Sequence, residues 1–215
     1  MIIIGAKGFA KEVLEVVLQL NQLDNLVFYD DVNQDILDVL FGQFPVLKSM
    51  AAAAIYFKTV DPTFTIGVGN PVLRKQLHDS FIAIGGQLVS IISPLATISS
   101  FDVSVGVGTT ILPGAILSNG TKIGKGCIVY YNSIITHDCI VGDFVEISPS
   151  VTLLGRCEID SFSQIGSNAT ILPDVKIGKN VIIGAGALVT MDIPDNSLVV
   201  GIPGKVIKSL TPLQF

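Results

Sequence analysis

From Val105 to Val189 every sixth residue is Val, Ile or Leu, without interruption. Neither an α-helix nor a flat strand has a period of six. A chain that turns a corner every six residues does, and three such sides close an eighteen-residue rung. The pattern therefore predicts five stacked rungs of a parallel β-helix. Two residues before each aliphatic sits a smaller residue, as at Thr109, Ala115, Thr121, Cys127, Ser133, Cys139 and Cys157. A narrow prism has room for one large inward side chain per side with a smaller one beside it. Gly often follows the aliphatic, as at Gly106, Gly124, Gly142, Gly166, Gly178 and Gly184, and we read these as corner residues. Ser99 and Asp195 break the repeat at its two ends.

The first ninety residues read differently. Ile2-Ile3-Ile4 is a short apolar strand, Gly5-Ala6-Lys7-Gly8-Phe9 a turn, and Val13, Leu14, Val16, Val17 and Leu20 the apolar stripe of a helix. Strands follow at residues 25–29, ending in Asp30-Asp31, and at residues 64–69, ending in Gly69 before Asn70-Pro71 and another helix. Residues 89–92 read as one more strand. Alternating strands and helices predict a small Rossmann-like α/β domain with a parallel sheet over residues 1–92, with the β-helix and a short tail over 93–215. The Gly5–Gly8 turn opens a helix whose free N–H groups suit a phosphate. Asp30 falls where such folds place a carboxylate for a ribose hydroxyl. The spacing is G-x-x-G, and the domain is short for a dinucleotide, so a mononucleotide or nucleotide-sugar is expected.

Composition narrows the partners. The net charge of −5 argues against nucleic acid and anionic membranes. Residues 81–101 are uncharged but contain Ser, Thr, Gln, Gly and Pro, so no membrane span is expected. No signal-peptide pattern opens the chain, and all three Cys occupy the small inward position, as in a reducing compartment; a cytoplasmic protein is expected. With 49% hydrophobic and 14% charged residues, the chain is expected to bury surface in an oligomer.

Two His residues are present. His78 reads as a surface helix residue. His137 lies two positions after inward Ile135, hence outward at a corner, with Asp138 directly after it. One rung further on is Gly155, which leaves room beside the imidazole, and one rung back is Asn119. An open slot beside an outward His–Asp pair on a rigid scaffold suits general-base chemistry. A zinc site of three His is excluded by the single His of the β-helix. A non-catalytic assembly scaffold stays open at this point.

The [LIV]-G-x-x-x-x repeat, together with Ile2-Ile3-Ile4-Gly5-Ala6-x-Gly8, Tyr29-Asp30-Asp31, Ile66-Gly67-Val68-Gly69-Asn70, Ile135-Thr136-His137-Asp138 and Gly201-Ile202-Pro203-Gly204-Lys205, resembles the bacterial hexapeptide-repeat sugar O- and N-acetyltransferases. The likeness covers nearly the whole chain. It implies a left-handed coil, the hand that crossover rules disfavour. It implies acetyl-CoA as co-substrate, no metal, a homotrimer with shared sites, and N-acetylation of a nucleotide-linked 4-amino-4,6-dideoxy sugar in surface polysaccharide or glycan biosynthesis. O-acetylation of sialic acid or another sugar is the alternative. By the same resemblance His137 is the general base and Asp138 supports it. Gly5, Lys7, Gly8, Phe9, Asp30, Asp31 and Gly69 contact the nucleotide-sugar, and Glu146, Gly155, Ser167 and Ala185 contact acetyl-CoA. Three positions depart from common family residues: Phe9 and Glu146 stand where many relatives have His, and Asp138 where many have Glu. Ser167 and Ala185 are one rung apart on one corner, and His137 and Gly155 share a different one. A ligand touching both corners fits a groove between two prisms.

Overall fold

The computed structural model of the chain describes residues 1–33 and 35–214. Phe215, the last residue of the expected second domain, lies outside the described residues. The N-terminal part runs β1 (Ile2–Ile4), α1 (Gly8–Gln19), β2 (Val27–Tyr29), β3 (Val39–Leu40), β4 (Phe44–Leu47), α2 (Met50–Thr59), β5 (Thr63–Ile66), α3 (Pro71–Ala83) and β6 (Gln87–Leu88). The sheet order is β3-β4-β2-β1-β5-β6, all parallel except the edge strand β3. β1 lies centrally, between β2 and β5, so its Ile triplet is buried on both faces. α1 covers one face with Ala10, Val13, Val16 and Val17. α3 starts where Asn70 accepts a hydrogen bond from the Leu73 N–H and Pro71 takes the first helical position. The β3–β4 hairpin and α2 are additions to the sequence reading.

The strand order reverses between β1 and β5, and in such sheets ligands bind at the carboxyl ends beside that reversal. A cleft of about 180 Å³ opens there, lined by Gly5, Tyr29, Asp31, Val68, Leu73 and Leu77 among others.

The rest of the chain is a three-sided parallel coil. Its first face stacks Thr110–Ile111, Ile128–Val129, Glu146–Ile147, Gln164–Ile165 and Ile182–Ile183. The second stacks Ile116–Leu117, Ile134–Ile135, Thr152–Leu153, Thr170–Ile171 and Leu188–Val189. The third stacks Lys122–Ile123, Ile140–Val141, Glu158–Ile159 and Lys176–Ile177. The second residue of each pair points inward and, with the small residues, fills a continuous core. Each such aliphatic contributes roughly 1.5–3 kcal/mol by burial.

The structure corrects the sequence reading at three places. Ile91–Ile92 pairs with Thr110–Ile111, so it opens the coil instead of closing the N-terminal sheet. The coil also continues past the apparent breaks. Ile98 pairs with Leu117 but Val105 with Ile123, which shows one extra residue between Ile98 and Val105. At the far end Ile193 bridges Ile177 and Val199 pairs with Ile183, so the last turn is two residues short. The corner glycines are also reassigned. The left-handed backbone falls three residues after the aliphatic, at Gly120 (φ +75°) and Asp138 (φ 59°) for example. The glycine directly after the aliphatic serves close approach: a Cβ on Gly124 would stand 2.6 Å from the Gly142 backbone one rung on.

Candidate active site

His137 and Asp138 form the corner between the second and third faces, after Ile135. Both side chains are exposed, and the His137 Nδ1 is 2.9 Å from Asp138 Oδ2. With Nδ1–H donating to the carboxylate, Nε2 is left as the acceptor. Gly155 lies directly beneath: a Cβ there would be 2.5 Å from His137 Cε1 and 2.6 Å from Nε2. Further along the same corner Arg156 grips Asp174 in a bidentate pair at 2.6 and 2.9 Å. This pair, with His137 close by, holds the Asp174 carboxyl below the usual carboxylate range.

The corners differ in what their leading N–H groups do. At some of them the side chain one rung on supplies a cap, as when Phe101 N–H donates to Asn119 Oδ1 at 3.1 Å. Lys125 N–H donates to Asp143 Oδ1 at 3.0 Å, and Asp143 N–H to Ser161 Oγ at 3.0 Å. At His137 the residue one rung on is Gly155, and at Gly155 it is Pro173, so neither can supply a cap. Among the described residues the His137 and Gly155 N–H groups donate to no protein atom. The same holds for Ser167 and Ala185, which stack on the corner between first and second faces through the Gly186 N–H to Ser167 carbonyl bond at 2.8 Å. Uncapped donors on a rigid corner are available to a ligand oxygen.

The cleft of the α/β domain is built by the carboxyl ends of its strands. Gly5 has φ +95°, and Gly67 lets α1 approach β5, since a Cβ would stand 2.6 Å from Ala10. A Cβ on Gly8 would meet nothing within 4 Å, so the start of α1 is open. Lys7 is exposed and pairs with Asp35 at 3.2 Å. Asp30 is buried, and its carboxylate accepts from Asn33 N–H at 2.9 Å and from the Asn33 amide at 2.9 and 3.0 Å. Its acceptors are thus engaged in shaping the loop; both Asp30 and Asp31 line the cleft, and Asp31 is the exposed one of the pair. Burial first, then the Asp31 and Asp30 carboxylates, push the Tyr29 phenol up. Phe9 packs on Tyr130 of the coil, ring centroids 5.2 Å apart.

Gly69 and Glu146 meet at the seam between the two parts: a Cβ on Gly69 would lie 3.5 Å from Glu146 Oε2. Glu146 stands on the first face in register with Gln164, whereas Gly155 is at the corner between the second and third faces. Beside Glu146 lies Arg74, which the sequence reading missed. It is 1% exposed and donates to Gly126 O at 2.8 Å, Phe144 O at 2.8 Å, Val145 O at 3.2 Å, Val68 O at 3.4 Å and Gly69 O. Burial brings its pKa down to about 10. The available signal was its place on the apolar side of α3, in line with Leu77 and Phe81. His78 is not a free surface group either, since it packs edge-on against Phe144 and pairs with Asp79 at 2.8 Å.

Among the described residues no cluster of three His, Cys, Asp or Glu side chains is placed to hold a metal ion, and no helix is long and apolar enough to cross a membrane.

Residues 1–86 match the PglD N-terminal domain model and residues 156–190 the bacterial transferase hexapeptide (six repeats) model. The chain is 29% identical over 159 residues to a GDP-perosamine N-acetyltransferase of Escherichia coli O157:H7, covering 71% of this chain and 69% of that protein. It is 42% identical over 65 residues to the bifunctional protein GlmU of Clostridium beijerinckii; the match covers 30% of this chain and only 14% of that protein's length. Among solved structures it is similar to PerB from Caulobacter crescentus in complex with CoA and GDP-perosamine, with TM-score 0.88, 27% identity and 96% of each chain covered. It is also similar to the acetyltransferase domain of PglB from Neisseria gonorrhoeae FA1090, with TM-score 0.86, 32% identity and 96% and 98% of the two chains covered. The N-terminal domain match, the hexapeptide match and the similarity along nearly the full chain together show that the chain belongs to the bacterial hexapeptide-repeat sugar acetyltransferases.

Proposed function

We propose that the chain transfers an acetyl group from acetyl-CoA to the 4-amino group of a nucleotide-linked 4-amino-4,6-dideoxy sugar, in the cytoplasm, for surface polysaccharide or glycan assembly. The observation that carries this is the His137–Asp138 pair above the Gly155 slot, on a chain whose relatives include structures holding CoA, acetyl coenzyme A and GDP-perosamine. The nucleotide-sugar lies at Gly5, Lys7, Gly8, Phe9, Asp31 and Gly69, with Asp30 shaping its loop. Acetyl-CoA runs along Gly155, Ser167 and Ala185.

The amine nitrogen attacks the thioester carbonyl carbon. A C–N bond forms, the C–S bond breaks, His137 Nε2 takes the proton from nitrogen, and CoA leaves as thiolate and is then protonated. Asp138 holds the imidazole tautomer and favours the imidazolium as it forms. The Gly155 N–H steadies the carbonyl oxygen as charge develops. The three Cys are buried and free, which suits direct transfer between bound substrates.

The assembly is a homotrimer, each site shared by two copies. Exposed Ile116 and Ile134, adjacent in register on the second face, and Ile140 across the His137 corner provide apolar surface for a neighbouring copy. The test is release of free CoA thiol on incubation with acetyl-CoA and GDP-, UDP- or dTDP-linked 4-amino-4,6-dideoxy sugars, with sialic acid as the O-acceptor. A product heavier by one acetyl group on an amino sugar is expected; turnover with sialic acid alone overturns the reading.

A further inference from the structure

The outward residues of the first face form one column: Thr110, Ile128, Glu146, Gln164, Ile182 and Leu198, each beside the next in register. Glu146 is the single ionisable side chain in it. Half-burying a carboxylate beside Ile128 costs free energy unless it is matched, and the charge of the nearby Arg74 offsets that cost only in part. Within the chain the match is incomplete. Its side-chain partners are Gln164, whose Nε2 donates at 3.4 Å, and Ser148. Arg74 lies close, but a guanidinium has five N–H groups, and Arg74 makes five bonds to carbonyl oxygens. It acts on Glu146 only through space. The carboxylate therefore keeps acceptor capacity, and Oε2 faces Gly69 at the carboxyl end of β5, where the sugar end of a nucleotide-sugar would emerge.

The chemistry of the acceptor decides what this group is for. A neutral primary amine presents two N–H donors and one lone pair, whereas a hydroxyl presents a single donor. If the lone pair is aimed at the thioester carbon, a fully matched amine needs two acceptors. His137 Nε2 is one. We propose that Glu146 is the other and determines acceptor specificity: its carboxylate takes one N–H of the sugar amine while His137 of a neighbouring copy takes the second. A hydroxyl in the same place leaves one of the two acceptors without a donor, which selects nitrogen over oxygen. This rests on the proposed N-acetyltransferase reading and on the shared site.

The experiment compares wild-type, Glu146→Gln and Glu146→Leu on the active nucleotide amino sugar and on the matching nucleotide-sugar with hydroxyl in place of amine. Amine turnover should fall about ten- to a hundred-fold in Glu146→Leu and less in Glu146→Gln, which keeps one acceptor oxygen. Turnover of the hydroxyl sugar should change little, so the amine preference collapses. KM for acetyl-CoA should hold. Loss confined to the acetyl-CoA KM, or an unchanged amine preference, overturns the assignment. Wild-type protein that transfers to no amino sugar overturns the parent reading instead, and an unfolded variant is recognised by its melting curve, in which case the isosteric Glu146→Gln decides.

Discussion

The imidazole of His137 occupies the space that a side chain on Gly155 would need. The nearest ring atom, Cε1, is 2.5 Å from the ideal Cβ position. Contact this close forces one partner to move, and the exposed imidazole is the softer one. The missing side chain at 155 thus sets the ring's position and also leaves the His137 N–H without the cap seen at Lys125 and Asp143.

Gly155→Ala should therefore displace the imidazole while the coil survives, because Gly155 is not in the left-handed region. A fall of about tenfold or more in kcat is expected, since misplacement of a catalytic group by about 1 Å can cost a hundredfold. Kinetics beside a thermal melt check this; a normal kcat would show that the ring does not act from this slot.

His137→Ala should lower turnover by about 10²–10⁴. The ring is largely exposed, so stability should change by no more than about 0.5 kcal/mol. Asp138→Asn should lose less, and Asn tolerates the left-handed backbone at φ 59°. Binding of both substrates supplies the control: their affinities should hold in His137→Ala while turnover falls.

The coil was legible because a period of six admits no other regular structure, and His137 because its Asp138 partner is its neighbour in sequence. The coil's ends were not, since the one extra residue between Ile98 and Val105 shifts the register that the eye follows. Arg74 was hidden for another reason: its five acceptors are backbone carbonyls from three separate segments, and carbonyls leave no trace in a sequence. Asp30 and Asp31 look alike in the chain, yet Asn33 commits the first to the loop while the second is exposed beside the Tyr29 phenol.

That division predicts different outcomes for the acidic pair. Asp30→Ala removes three bonds from Asn33 and should destabilise the loop, lowering the melting temperature and nucleotide-sugar affinity together. Asp31→Ala should weaken nucleotide-sugar binding with little change in melting. Calorimetry with acetyl-CoA should show neither variant affected. Equal loss of both ligands in Asp31→Ala would remove Asp31 from the site.

A site shared between copies predicts complementation. His137→Ala disables one corner, and Ala185→Arg, projecting from the other, blocks the acetyl-CoA groove. Each variant alone should be inactive. Co-assembled at equal amounts, about a quarter of the interfaces join two intact corners, so about a quarter of wild-type activity should return. No recovery from verified mixed trimers would place both corners' ligands within one copy.

The last prediction concerns the stability cost of Glu146. Burial raises its pKa above the ordinary 4.5, and the nearby Arg74 charge and the bonds from Gln164 and Ser148 offset this only in part. A raised carboxyl means that the folded protein binds this proton more tightly than the unfolded chain. Between 4.5 and the raised value the folded state holds more protons, so this residue makes stability fall as pH rises through that window. Above the window its ionised form is a constant penalty; below 4.5 both states are protonated and the penalty is gone. Glu146→Gln should therefore melt higher than wild-type at pH 7–8, and the difference should shrink to nothing as the pH drops below about 4. Melting curves of the two proteins over pH 4–8 give the answer. A gain in stability joined to a loss of amine selectivity is the signature of a residue kept for function. A variant less stable than wild-type at pH 8 would mean that Glu146 is a structural partner of Arg74 instead.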